Sequence, residues 1–262
     1  MREELQIRIH GDAALPTLIY LPGIHGDWTL VGDFRKNLAG KVRFVEFIYP
    51  RTIEWSLDDY AAAIENALAQ NEIRSGWLLG ESFGSQLLWA LVGRKQLSVL
   101  GLILAGGFVR HPTPWGARGM KRCSGRLALA LLMPLIKSYG KIARWRYRHA
   151  PETLANIQEF VARRTPADFH AARHRLHLLV ENDPRPIASA NRLPLFYLTG
   201  WLDPIVPWPF VQSWLKKNCP SLRAVKIIRS ADHNVLGTAP KKSAETVLTW
   251  MQTPDARFKV AG

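Results

Sequence analysis

Short apolar runs that stop at glycine or proline alternate along this chain with longer segments of helical periodicity. No other sequence feature restricts the possible folds as much. Residues 17–21 (TLIYL) run into Pro22-Gly23, and 42–49 (VRFVEFIY) into Pro50. Residues 77–79 run into Gly80, and 99–105 (VLGLILA) into Gly106-Gly107. Residues 195–199 (LFYLT) and 224–228 (AVKII) repeat the pattern near the other end. Continuous runs of this length, rich in branched and aromatic residues, are strands buried on both faces. Residues 4–9 (ELQIRI) alternate instead, which predicts an edge strand. Between the runs, residues 56–70 carry Leu57, Tyr60, Ile64 and Leu68 at helical spacing behind a Ser56 cap. Asp58 and Asp59 sit in the first turn, where the helix dipole favours them. Residues 83–93, 209–217 and 241–251 also read as helices. Strand and helix in alternation predict an α/β chain, a mostly parallel sheet with helices on both faces.

The 262 residues suffice for one such domain with an insertion. Residues 1–107 and 192–262 form the predicted core. Residues 108–191 break the rhythm and read as a basic helical cap, with breaks near residues 112–114, 134, 151, 166 and 184–186. That segment holds fifteen Lys and Arg against five Asp and Glu, so it carries +10 of the chain's net +14. A surplus of this size raises nucleic acid, an anionic membrane or an acidic protein as partners. No apolar stretch reaches the roughly 18–20 residues that a membrane span needs. The best candidate, residues 127–136 between Arg126 and Lys137, is half as long and contains Pro134. The N-terminus lacks an apolar signal core. The two cysteines, Cys123 and Cys219, support neither a disulfide framework nor a metal site. The expectation is a cytoplasmic protein without a metal.

Chemistry concentrates at three strand ends. Gly80-Glu81-Ser82-Phe83-Gly84 has the G-x-S-x-G form, a sharp turn from strand into helix that lifts a serine hydroxyl above the sheet. Asp203 lies in GWLDPIVP after residues 195–199, and His233 lies in ADHN after residues 224–228. A serine nucleophile needs an imidazole to take its proton, and the imidazole needs a carboxylate to fix its tautomer. Loops at the carboxyl edge of one parallel sheet can converge. Asp232 is the competing carboxylate, but it directly precedes His233, so on an extended loop its side chain points elsewhere. Glu81 reads as a buried, paired carboxylate, and His10 as a solvated edge-strand residue.

With Ser82, Asp203 and His233 in that order, the chain resembles an α/β-hydrolase over nearly its whole length. Leu21-Pro22-Gly23-Ile24-His25-Gly26 resembles that family's oxyanion loop, with Pro22 where the loop usually has His. The resemblance implies oxyanion donors at the backbone N–H groups of Ile24 and Phe83, and needs no cofactor. It implies a serine ester hydrolase, a carboxylesterase working through an acyl-enzyme on Ser82. His25, Trp28, Trp115 and Trp201 are candidates for the substrate pocket. The charge distribution resembles thioesterases and methyl ester esterases that act on acidic acyl carrier proteins, including the pimeloyl-carrier group. On that alternative, Arg118, Lys121, Arg122, Arg126, Arg144, Arg146 and Arg148 would face the carrier. A third reading, of another class, is a non-catalytic module that binds nucleic acid or a membrane surface through its basic face.

Overall fold

The computed structural model describes residues 4–112 and 151–253. Among the described residues, seven strands form one sheet in the order β1-β3-β2-β4-β5-β6-β7. They are β1 (Gln6–His10), β2 (Thr17–Leu21), β3 (Arg43–Ile48), β4 (Ser75–Glu81), β5 (Ser98–Ala105), β6 (Leu195–Gly200) and β7 (Leu222–Ile228). Only the β1–β3 pairing is antiparallel; the remaining neighbours are parallel. The helices are α1 (Gly32–Leu38), α2 (Leu57–Gln70), α3 (Gly84–Arg94), α4 (Pro151–Ala162), α5 (Pro166–Glu181), α6 (Arg185–Ala190), α7 (Trp208–Asn218), α8 (Val235–Thr238) and α9 (Pro240–Gln252).

The sheet has two apolar faces because successive strand residues point to opposite sides. Ile19, Leu21, Leu78, Leu102 and Leu104 face one core cluster with Tyr60 and Ile64 of α2 and Leu87 and Leu88 of α3. Leu18, Tyr20, Leu79, Ile103 and Phe196 face the other with Phe34 and Leu38 of α1 and Val247 and Trp250 of α9. Full burial of an aliphatic or aromatic side chain of this kind contributes about 1.5–3 kcal/mol. The α/β expectation therefore holds, with helices on both faces. Ser56 caps α2 in a capping box, its side chain accepting from the Asp59 N–H while the Asp59 carboxylate accepts from the Ser56 N–H.

One helix has no counterpart in the sequence pattern, and one local expectation fails. Residues 32–38 (GDFRKNL) carry too few apolar positions to announce a helix, and α1 is built by burying Phe34 and Leu38 rather than by propensity. His10 is not simply solvated. Its Nε2 lies 3.0 Å from Glu46 Oε1, because antiparallel β1 runs beside β3. Glu46 is fully buried and also receives Arg35 Nη1 at 2.7 and 2.8 Å.

β5 and β6 are adjacent, so the chain leaves the sheet after Ala105 and returns at Leu195. Its described residues in that excursion form α4, α5 and α6 and no strand. Residues 151, 166 and 184–186, where breaks were expected, are helix starts: Pro151 and Pro166 open α4 and α5, and Pro186 stands in the first turn of α6. Proline lacks an N–H that the first turn would leave unpaired anyway.

Candidate active site

Ser82 closes the turn between β4 and α3 with a φ of 50°, in the left-handed region that a non-glycine residue enters at a cost. The turn is tight on both sides. A Cβ at Gly80 would stand 2.9 Å from the Ser85 backbone, and one at Gly84 only 2.0 Å from the Leu21 carbonyl oxygen. Gly80 lets α3 approach β4, and Gly84 lets it pack onto the end of β2. Ser85 Oγ braces the turn by donating to the Ser82 carbonyl at 2.6 Å and accepting from the Phe108 N–H at 3.2 Å.

His233 lies between β7 and α8, and Asp203 between β6 and α7. The His233 ring joins the two other groups, with Nε2 2.9 Å from Ser82 Oγ and Nδ1 2.8 Å from Asp203 Oδ2. The Asp203 carboxylate is fully buried. Its Oδ1 accepts from the N–H groups of Ile205 and Val206, both at 2.8 Å. The loop thus fixes one oxygen of the carboxylate and leaves the other for the imidazole. Asp232 does a different job: its Oδ1 accepts from the Asn234 N–H at 3.0 Å and faces Thr238 Oγ1 at 3.3 Å. Hydroxyl, imidazole and carboxylate in this line can move a proton from Ser82 to His233 while Asp203 holds Nδ1–H.

Electrostatics separate the two histidines nearby. Burial disfavours a charged His233, but the Asp203 hydrogen bond and charge, with Glu81 and Asp232, outweigh it and raise its pKa above 6.5. Burial, then Arg164, lowers His25 to about 4, so it stays neutral. Burial pushes Glu81 up to about 7, against the Tyr20 hydroxyl that donates to its Oε2. The sign for His233 follows directly. Stability from charged His233 is present below the unfolded value and is lost as pH rises through the raised folded value. A reaction that needs neutral His233 runs the other way. We expect the acid limb of kcat/KM above pH 6.5, moving to lower pH in Asp203→Asn; a pH–rate profile checks it.

The other sequence candidates separate. The 22–26 loop stands against Ser82, since a Cβ at Gly23 would lie 3.6 Å from Ser82 Cβ. It carries Ile24 and the half-buried His25, whose ring meets Phe160 edge-on at 4.8 Å. Phe83 is the N-cap residue of α3. Trp201 is 53% exposed beside Asp203 and packs on Trp208 at 5.2 Å. Trp28 is a correction: it is 5% exposed, belongs to the core, and lies under the Arg8 guanidinium at 4.0 Å. An aromatic in a loop can form a pocket rim, but the Trp28 ring turns inward to the sheet. Trp115, Arg118, Lys121, Arg122, Arg126, Arg144, Arg146 and Arg148 lie outside the described residues.

The sequence reading missed a group of side chains from the excursion that grip the 22–29 segment. Arg164 pairs with Asp27, Arg163 donates to Thr29 Oγ1 at 3.4 Å, and Arg175 donates to the Ile24 carbonyl at 2.9 Å. Basic residues in a basic helical segment gave no sign that they point inward.

No protein-family model and no curated protein matches the chain. Solved structures do. A thermophilic esterase from Thermogutta terrifontis aligns with a TM-score of 0.76 at 18% identity, over 95% of this chain and 93% of that one. A bromoperoxidase from Bacillus anthracis gives 0.76 at 15%, over 95% of each chain. An enol-lactonase from Burkholderia xenovorans gives 0.73 at 16%, over 95% of this chain and 96% of that one. The chain has the α/β-hydrolase fold. Because α/β-hydrolase neighbours at such identities run different reactions, the fold does not choose the chemistry, and the site must.

Proposed function

We propose that this protein is a serine hydrolase that cleaves small carboxylic esters through an acyl-enzyme. The observation that carries the reading is the unbroken line from Ser82 Oγ through the His233 ring to buried Asp203. Ser82 Oγ attacks the ester carbonyl carbon while His233 Nε2 takes its proton. The N–H groups of Ile24 and Phe83 meet the oxyanion, on the two segments that flank Ser82. The tetrahedral adduct collapses, the C–O bond to the alcohol breaks, and His233 returns the proton to the departing oxygen. Water, deprotonated by the same ring, then releases the acid and restores Ser82. Asp203 holds the imidazole tautomer throughout. His25 and Trp201 stand at the edge where an acyl group would enter.

Esterases among the solved neighbours support this class. The carrier-protein alternative rests on the basic excursion. Nine of its fifteen basic residues lie outside the described residues. Of the six described, four pair with carboxylates: Arg110 and Arg185 with Asp183, Arg163 with Glu159, and Arg164 with Asp27. Arg175 is buried on carbonyls. This internal use of charge favours the small-ester reading.

Salt separates the two. The Debye length falls from about 10 Å at 0.1 M to about 3 Å at 1 M, so steering of an acidic carrier would be screened. Across a panel of p-nitrophenyl esters of increasing acyl length, we expect kcat/KM to change less than about twofold over that range. The same acyl chain on a carrier protein should be a poorer substrate than its free ester. Faster, salt-sensitive turnover of the carrier form would transfer the assignment to a carrier thioesterase or methyl ester esterase. Absence of turnover across the whole panel would leave the binding-module reading.

A further inference from the structure

We infer that Arg175, on helix α5 and remote from the reacting atoms, is a positioning residue that sets the oxyanion loop. The inference rests on the ester-hydrolase reading above. Arg175 is 1% exposed, and among the described residues no carboxylate stands within ion-pair reach of it. Its donors go to backbone and phenol oxygens instead. Nη1 reaches the Ile24 carbonyl at 2.9 Å, Nη2 the Pro50 carbonyl at 2.8 Å, and Nε the Tyr60 hydroxyl at 3.3 Å. The guanidinium also lies 5.4 Å from the Tyr49 ring and 5.8 Å from the Tyr60 ring. A buried cation without a counter-ion is solvated by such dipoles and ring faces, so it holds them firmly.

The consequence falls on Ile24. A trans peptide points its C=O and N–H in opposite directions. The Gly23 carbonyl, in the same peptide as the Ile24 N–H, accepts from the Gly26 N–H at 2.9 Å. The next carbonyl, Ile24's own, is held by Arg175. Both peptides that flank Ile24 are therefore pinned on their carbonyl sides, which fixes the direction of the donor between them. Tyr49 completes the grip. Its N–H donates to the Gly26 carbonyl at 2.8 Å and its hydroxyl to the Pro22 carbonyl at 3.2 Å. Gly26 admits the guanidinium: a Cβ there would stand 2.7 Å from Nη1. Helix α5 is itself anchored on the core, with Arg51 Nε donating to Asp168 at 2.7 Å and His174 Nε2 2.7 Å from the Trp55 carbonyl.

Arg175→Met removes the donors and keeps the volume of the stem, and Arg175→Lys keeps the charge but can reach only part of the carbonyl set. Turnover of a p-nitrophenyl ester is read per site titrated with a fluorophosphonate. Affinity for an aryl boronic acid, which forms a tetrahedral adduct on serine, reports the oxyanion hole. Amide hydrogen exchange of residues 22–28 reports the loop without reference to turnover. A misdirected donor costs on the order of 10–100-fold in rate. The expected result in Arg175→Met is a fall of that size in kcat at constant KM, and an equal loss of boronate affinity. The acid limb should stay unmoved, and loop exchange should be faster. Arg175→Lys should fall between it and the wild type in each readout. Unchanged exchange of 22–28 in both variants overturns the clamp, whatever the turnover. Faster exchange with kcat and boronate affinity as in the wild type overturns the positioning role and leaves a fold-stabilising arginine. Failure of the ester-hydrolase reading itself would show separately, as ester turnover that survives loss of the Ser82 hydroxyl.

Discussion

Ser82→Ala is expected to lose on the order of 10⁴–10⁶ in kcat toward p-nitrophenyl esters and to keep its fold. On the proposed reading the hydroxyl forms the acyl bond, and alanine deletes it without touching the hydrogen bonds that shape the turn. The Ser82 N–H still donates to the Ala105 carbonyl at 3.1 Å, and Ser85 still donates to the residue-82 carbonyl. Alanine also accepts the positive φ of 50° no worse than serine does. Circular dichroism and the melting temperature should therefore match the wild type while steady-state turnover disappears. Residual activity within tenfold of the wild type would mean that another group attacks, and the acyl-enzyme reading would fall.

The second large effect belongs to the carboxylate. Asp203→Asn should lower kcat by roughly 10⁴. The amide can still accept from the N–H groups of Ile205 and Val206 through its oxygen. It then turns its NH₂ toward His233 Nδ1, and the ring must carry its proton on Nε2, facing Ser82. A protonated Nε2 cannot take the serine proton. Asp232→Asn makes the control, because Asp232 Oδ1 accepts from the Asn234 N–H and faces the Thr238 hydroxyl, away from the imidazole. Asparagine keeps an oxygen acceptor at that place, so the change should cost little stability and only a few-fold in rate. Parallel measurement of kcat and chemical denaturation on the two variants separates the roles. A reversed ranking would make Asp232 the partner of the imidazole.

Much of this was written locally. Residues 17–21 form β2 without a shift in either boundary, because an apolar run closed by Pro22-Gly23 has few other ways to fold. The Ser56 cap is equally local, since its partner Asp59 is three residues away. Ser82, Asp203 and His233 were legible because each follows a strand, and a parallel sheet gathers such loops at one edge. What the sequence hid depends on distant acceptors. Arg175 and the Ile24 carbonyl are 151 residues apart, and Arg164 and Asp27 are 137 apart. An arginine in a helix reads as surface unless the carbonyl that will receive it can be seen, and backbone acceptors leave no mark in a sequence. Trp28 shows the converse error. Its neighbours placed it in a loop, but only the packing reveals that its ring joins Val31 and Phe34 in the core.

The grip of Arg164 and Arg175 on the 22–29 segment also limits how this protein can be retooled. In a modular enzyme, a designer or a lineage exchanges the segment over the site to change substrates and leaves the reaction centre alone. Here residues 108–191 supply the guanidinium that answers Asp27, a carboxylate only 13% exposed, and the one that answers the Ile24 carbonyl. A transplanted segment without arginines at those two places would strand a buried charge and an unmet carbonyl beside Ser82. On the ester-hydrolase reading, breadth of substrate and speed of turnover are then not separate dials in this chain. A graft has to bring its own answer to Asp27 and Ile24, or arrive together with a rewritten 22–29 segment.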